Sequence, residues 1–151
     1  MQKHSPIFKP FNASNYKVGI VVAQFNSEIT DQLLASAIKT LKEYEVKPKN
    51  VAVYKVAGCV EIPVVLKKLA VSKKYDCLIA LGAVIKGETD HYTAVNKIVC
   101  DGVLQVMLDH QIAIGFGVLM TANLKQAKAR LDAGSSAVTA ALQTARILKS
   151  M

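Results

Sequence analysis

Four apolar runs of strand length, each followed by helical spacing, constrain this chain more than any other feature of its sequence. The first, "YKVGIVVAQF" (Tyr16–Phe25), is rich in Val and Ile and reads as a strand buried on both faces. Ile29, Leu33, Leu34, Ala37, Ile38 and Leu41 then recur at helical spacing, with Asn26 or Ser27 available as the cap. "VKPKN" closes that helix, and "VAVYKV" (Val51–Val56) reads as the second strand. Gly58 turns the chain into "EIPVVLKKLAVSKK", where Pro63 is tolerable only in the first helical turn. The third strand is "YDCLIALGAVI", and its helix is predicted to place Val95, Ile98, Val99, Val103, Val106 and Met107 on one face. "IAIGFGVL" (Ile112–Leu119) is the fourth strand. It leads to "TANLKQAKARL", a small-residue break at "DAGSS" and a final helix through Lys149. Strand and helix alternating four times predict an α/β three-layer sandwich, a four-stranded parallel sheet with helices on both faces.

The same pattern holds without linker, internal repeat or low-complexity tract, so residues 16–151 are expected to form a single domain. Residues 1–15 read as an extended, proline-punctuated arm free to pack on a neighbour. Hydrophobic residues make up 52% and charged residues 20%, which excludes disorder and leaves apolar surface for self-association. The longest apolar runs, Cys77–Ile85 and Ile112–Met120, are too short to span a membrane. The N-terminus has no long apolar segment and does not read as a secretory signal. Cys59, Cys77 and Cys100 lack CxxC spacing, which argues for a reducing, cytoplasmic setting and against a structural zinc; no metal site is expected. A formal charge of +8 raises nucleic-acid binding. The lysines are scattered over expected solvent faces and helix ends, however, and such a binder needs a clustered basic face. A solvated basic surface that attracts anionic substrates is the expectation.

Parallel sheets bind ligands at the carboxyl ends of their strands. That rule selects Gln24–Asn26, Gly58–Glu61, Lys86–His91 and Phe116–Met120. Gly87, Glu88 and Thr89 are expected to open a helix whose free N–H groups suit an anion, although Thr89 could equally be a simple N-cap. His91, in the first turn of that helix, is a candidate proton acceptor or a solvent-facing histidine without a role. His110 and His4 have weaker claims. Phe25, at a strand mouth, can stack on a planar heterocycle or serve as a lid on the core. Glu61 offers acceptors for hydroxyl groups, or a favourable first-turn charge. Arg130, read as lying late in a helix, can grip phosphate bidentately or satisfy helix carbonyls. No P-loop or GxGxxG is present.

In order and spacing, the segments "VVAQFNSEIT", "AGCVEIPVVLKKLA", "KYDCLIALGAVIKGETDH" and "FGVLMTANLKQAKAR" resemble the lumazine synthases, the penultimate enzymes of riboflavin biosynthesis. "LGAVIKGETDH" is the most specific stretch. The resemblance implies a flavodoxin-like strand order and a condensation that needs no cofactor. The family joins 5-amino-6-(D-ribitylamino)uracil to 3,4-dihydroxy-2-butanone 4-phosphate, releasing phosphate and water, to give 6,7-dimethyl-8-ribityllumazine. By the resemblance, Phe25 would stack on the pyrimidine, and Asn26 and Glu61 would bind the ribityl chain. The backbone at Cys59, Val84 and Ile85 would line the heterocycle's pocket, with Gly58, Val60 and Lys86 beside them. Gly87, Glu88 and Thr89 would hold the substrate phosphate, Arg130 would supply its countercharge, and His91 would shuttle protons. Family sites lie at the interfaces of homopentamers, so Phe116 and Arg130 would come from the adjacent subunit.

The chain also departs from the family pattern. Gln24 replaces the usual arginine before Phe-Asn, and Val60 replaces a common aromatic, implying a looser pocket. Ala129 stands where many members have glutamate. After Arg130, "LDAGSSAV" is several residues shorter than the family's loop and carries no lysine, which bears on assembly size and phosphate affinity. The competing readings are an archaeal-type riboflavin synthase of the same fold, a flavin- or lumazine-binding scaffold with weak catalysis, and a basic nucleic-acid binder.

Overall fold

The computed structural model describes residues 6–151. Among the described residues four strands alternate with α-helices, two of which follow the last strand: β1 (Val18–Ala23), α1 (Ser27–Glu43), β2 (Val51–Val56), α2 (Ile62–Ser72), β3 (Cys77–Ile85), α3 (His91–His110), β4 (Ala113–Thr121), α4 (Leu124–Lys128) and α5 (Ala133–Lys149). The four strands form one parallel sheet in the order β2-β1-β3-β4, as the α/β three-layer reading requires. β1 and β3 are central and almost wholly buried, which explains their unbroken apolar composition. β2 is an edge strand and leaves Val53 and Tyr54 partly in solvent.

Side chains alternate across the sheet into two cores. On one face Val18, Ile20, Val22, Ile79 and Leu81 pack beneath α1 and α5. On the other, Val21, Leu78, Ala80, Ile114 and Val118 meet Ile62, Leu66 and Leu69 of α2 and Val95, Val99, Val103 and Val106 of α3. Pro63 lies in the first turn of α2, as expected. Ile98 does not join its predicted face: it is 48% exposed. Its direction on α3 is flanking, since the buried stripe runs through positions 95, 99, 103 and 106.

The break in the last helical region also differs from expectation. It falls at residues 129–132, and Gly134, Ser135 and Ser136 lie inside α5. These small residues serve helix packing. A Cβ on Gly134 would collide with the Leu33 carbonyl of α1, Thr40 Oγ1 donates to Ser135 Oγ at 2.6 Å, and the Ser135 N–H donates to Ser36 Oγ at 3.0 Å. Arg130 therefore sits in the turn after α4, not in a helix.

The first five residues of the arm, His4 among them, lie outside the described residues. From Lys9 onward the arm is held by its own chain. Phe11 packs edge-on against Tyr16 and Tyr44, Arg146 lies 4.7 Å over the Phe11 ring, and Gln143 donates to the Lys9 carbonyl. Ile7, by contrast, is 95% exposed. Among the described residues no helix is long and apolar enough to cross a membrane.

Candidate active site

Three neighbouring strand mouths are tied together through the backbones of Ala57 and Ala83. β1 ends at Ala23, and the N–H groups of Gln24 and Phe25 both donate to the Ala57 carbonyl beyond β2, at 3.2 and 3.0 Å. Asn26 then takes a left-handed conformation (φ 59°, ψ 47°). It occupies the expected cap position of α1 but makes no side-chain cap bond. Its Nδ2 instead donates to the Ala83 carbonyl of β3 at 2.9 Å. From the β2 side, Cys59 is buried beside Gly82, where any Cβ would strike its sulfur, and its thiol is hydrogen-bonded by the Ala83 backbone. Burial pushes the Cys59 thiol up to about 11, the Ala83 bond opposing this and the Glu61 charge adding to it. The thiol stays protonated near neutral pH and is no nucleophile there.

Phe25 leaves this junction pointing outward. It is 71% exposed, which removes the reading of a lid on the core. Its ring edge lies against Gly58: a Cβ built there would stand 3.1 Å from Phe25 Cδ2 and 3.6 Å from Glu61 Oε2. Gly58 thus leaves room for an aromatic ring and a carboxylate on either side of one backbone turn. Cys59–Glu61 form a single 3-10 turn, Glu61 is the residue at the start of α2, and Val60 is exposed beside it.

The β3–α3 loop is built differently. Val84 and Ile85 are half-buried, and Lys86 is tied to β4 through its N–H, which donates to the Thr121 carbonyl at 2.9 Å. Gly87, Glu88, Thr89 and Asp90 are exposed, and the helix begins at His91, later than the sequence implied. The cap position of α3 is Asp90, not Thr89, and it makes no side-chain cap bond; Thr89 Oγ1 accepts from the His91 N–H at 3.3 Å as a local turn bond. Nothing approaches within 4 Å of a Cβ built on Gly87. His91 is exposed at the head of α3, whose backbone N–H groups face this loop.

Phe116, on the edge strand β4, is 43% exposed although its neighbours Ile114 and Val118 are in the core. Arg130 is exposed and donates from Nη1 to the Gln126 carbonyl at 2.8 Å, so the helix-carbonyl role read from the sequence is realised, with other guanidinium donors remaining. Ala57, Gly82 and Ala83 were not among the sequence candidates. Gly82 alone carried a signal, since glycine inside a strand marks a close approach.

The arrangement is an open shelf, not a cavity. Depressions of about 600 Å³, lined by Met107, Ile112 and Leu148, and about 450 Å³, lined by Lys17, Lys49 and Lys74, lie at the opposite, amino end of the sheet. They carry none of the candidate groups, and the strand-mouth chemistry is the better guide. No set of three or more His, Cys, Asp or Glu side chains is placed to hold a metal among the described residues.

A flavodoxin-like sheet with an aromatic, a carboxylate and a helix-start loop at its carboxyl end defines a class of α/β protein with a ligand shelf at the strand mouths. The family is specific. The model of the 6,7-dimethyl-8-ribityllumazine synthase family matches residues 15–149, and the chain belongs to that family. It is 45% identical over 133 residues, 86% of each chain, to the 6,7-dimethyl-8-ribityllumazine synthase of Limosilactobacillus reuteri (strain DSM 20016).

Proposed function

We propose that the chain catalyses the condensation of 5-amino-6-(D-ribitylamino)uracil with 3,4-dihydroxy-2-butanone 4-phosphate, releasing phosphate and water. The observation that carries this is the Phe25 ring and the Glu61 carboxylate meeting beside Gly58, with Phe25 at the strand mouth next to the loop that leads to His91. Phe25 offers a face for the flat pyrimidine, and Glu61 offers acceptors for the ribityl hydroxyls. The floor beside them is Val84 and Ile85. Gly87, Glu88 and Thr89 present N–H and hydroxyl donors to the phosphate at the head of α3, where the helix dipole favours an anion.

The chemistry needs proton transfers and an anionic leaving group. The amine attacks the ketone carbonyl, and loss of water from the adduct gives an imine. Removal of a proton from the carbon beside the imine then expels phosphate, the resulting enol becomes a ketone, and attack of the ribitylamino nitrogen on that ketone closes the ring with loss of a second water. His91 can accept and return these protons, and Arg130 neutralises the departing dianion. The residues themselves supply these functions, so the reading invokes no cofactor or metal.

A single chain leaves Phe25 uncovered and half of such a site open. The proposed assembly is a homopentamer, alone or in larger assemblies of pentamers, in which a neighbour's Phe116 and Arg130 close the shelf. Exposed Ile98, Leu104 and Leu108 on α3 and the exposed Phe116 supply apolar surface for that contact. The proposed setting is cytoplasmic.

Purified protein mixed with the two substrates should produce lumazine absorbance and phosphate together. No turnover above the uncatalysed condensation would overturn the reading, and binding of lumazine without turnover would indicate a scaffold. Co-refolded mixtures of His91→Ala and Arg130→Ala chains should regain activity above the average of the pure variants, because some interfaces would carry both intact groups. Activity that remains at that average after confirmed subunit mixing would place the site within one chain.

A further inference from the structure

Four described residues other than glycine have positive φ: Asn26, Glu45, Lys73 and Gln111. Lys73 and Gln111 close α2 and α3, and Glu45 follows the end of α1, where left-handed residues commonly terminate helices. Asn26 differs because it stands at a helix start. Asparagine tolerates this conformation better than most L residues. At a helix start its side-chain oxygen would ordinarily accept a backbone N–H. Here the side chain makes no such bond: the Ile29 N–H, which it would cap, turns to the Asn26 backbone carbonyl at 2.9 Å, beside the ordinary first helix bond from Thr30 at 3.0 Å. The amide is turned away from the helix and spans 57 residues of sequence to the Ala83 carbonyl.

The consequence falls on Phe25. Its backbone N–H is held from the β2 side by Ala57, while the next residue is held from the β3 side by Ala83. The ring is therefore suspended between two fixed strands, with Gly58 against its edge. Ala83 directly precedes Val84 and Ile85, so the same bond sets the aromatic relative to the floor of the shelf. Cys59 bonds the backbone of the same residue, Ala83, and so adds the β2 mouth to the junction.

We infer that Asn26 is a positioning residue, whose amide fixes the turn bearing Phe25 to the mouth of β3 and acts on the pyrimidine through Phe25 and Val84, not through a bond to the ribityl hydroxyls. This rests on the proposed reaction for its kinetic readout alone. Asn26→Gly keeps the left-handed backbone and removes the link. Asn26→Asp keeps an acceptor for ligand hydroxyls but has no amide donor for Ala83.

Amide hydrogen exchange at Phe25, Val84 and Ile85 should quicken roughly fivefold or more in both variants, the size expected from one lost hydrogen bond. This arm requires no turnover, so it fails separately from the proposed reaction. In kinetics, KM for the ribitylaminouracil should rise by about the same factor with a smaller change in kcat. The rise should be equal for an aminouracil analogue whose N-alkyl chain carries no hydroxyls. Unchanged exchange in both variants would overturn the inference. A penalty confined to the hydroxylated substrate would also overturn it, and would make Asn26 a direct ligand of the chain.

Discussion

The two halves of the shelf are built on opposite plans. The half at Phe25, Asn26 and Cys59 is tied by backbone and side-chain bonds to Ala57 and Ala83. The β3–α3 loop is exposed, has open space around Gly87 and holds one local bond, from the His91 N–H to Thr89 Oγ1 at 3.3 Å. A flat, weakly charged heterocycle gains from a rigid surface, because little ordering is left to be done on binding. A phosphate brings its own strong directional acceptors and can order the donors that meet it. On the proposed function, the contrast separates a preformed half that takes the heterocycle from a loop that the phosphate organises.

His91→Ala should produce the largest change, because it removes the proposed proton carrier from the open half. We expect kcat to fall by about ten- to a hundredfold, the lower range for a general acid–base. Its exposed position leaves the fold intact. Unchanged rates at saturating substrates, with circular dichroism as a control, would exclude His91 from the mechanism.

Arg130→Ala should act next most strongly and selectively. Loss of a charge-assisted contact to phosphate, worth roughly 1.5–3 kcal/mol, should raise KM for the butanone phosphate by about tenfold or more and leave the uracil nearly unaffected. Lysine should rescue partly, since it lacks the planar fork. An equal loss for both substrates would make Arg130 structural, through its bond to Gln126.

The comparison can be sharpened with two glycines. Gly58→Ala places a methyl 3.1 Å from the Phe25 ring, whereas Gly87→Ala meets nothing within 4 Å. The first should weaken uracil binding about threefold to tenfold, the range for displacing one stacked ring. The second should leave uracil binding and stability unchanged. Calorimetric titration of the uracil against both variants checks the pair, and equal effects would erase the distinction between the halves.

Much of this was legible before the structure. β2 occupies Val51–Val56 as read, Pro63 falls in the first turn of α2, and the candidate residues lie at strand mouths because a parallel sheet leaves its helix-start loops there. What escaped reading depends on contacts distant in sequence. Asn26 looked like a helix cap, and only the proximity of Ala83 turns its amide away. "DAGSS" looked like a break because Gly and Ser are common in turns, yet in α5 they admit the backbone of α1. Arg130 was read into a helix that ends at Lys128. Ile98 has the spacing of a core residue but lies at the flank of the buried stripe.

The smallest effect belongs to the buried thiols, Cys59 in the tied half of the shelf and Cys77 at the amino end of β3. Burial raises the thiols of Cys59 and Cys77 from 9.0 to about 11 and about 12, so the folded chain keeps protons that the unfolded chain gives up. The stability from these neutral thiols is present below pH 9 and is lost as pH rises from about 9 towards 11 and beyond. The urea midpoint should fall over that window, and Cys59→Ala should flatten the fall. At pH 8, exposed Cys100 should alkylate well before either buried thiol.

Hydrogen exchange with and without inorganic phosphate tests the division of the shelf most directly. In the free protein, the amides of Gln24 and Phe25 should exchange slowly, while those of Gly87–His91 should exchange fast. Saturating phosphate should slow the second set by about tenfold or more and leave the first set unchanged. Equal protection of both sets before phosphate is added, or slowing at Gln24 and Phe25 with none at Gly87–His91, would contradict the account.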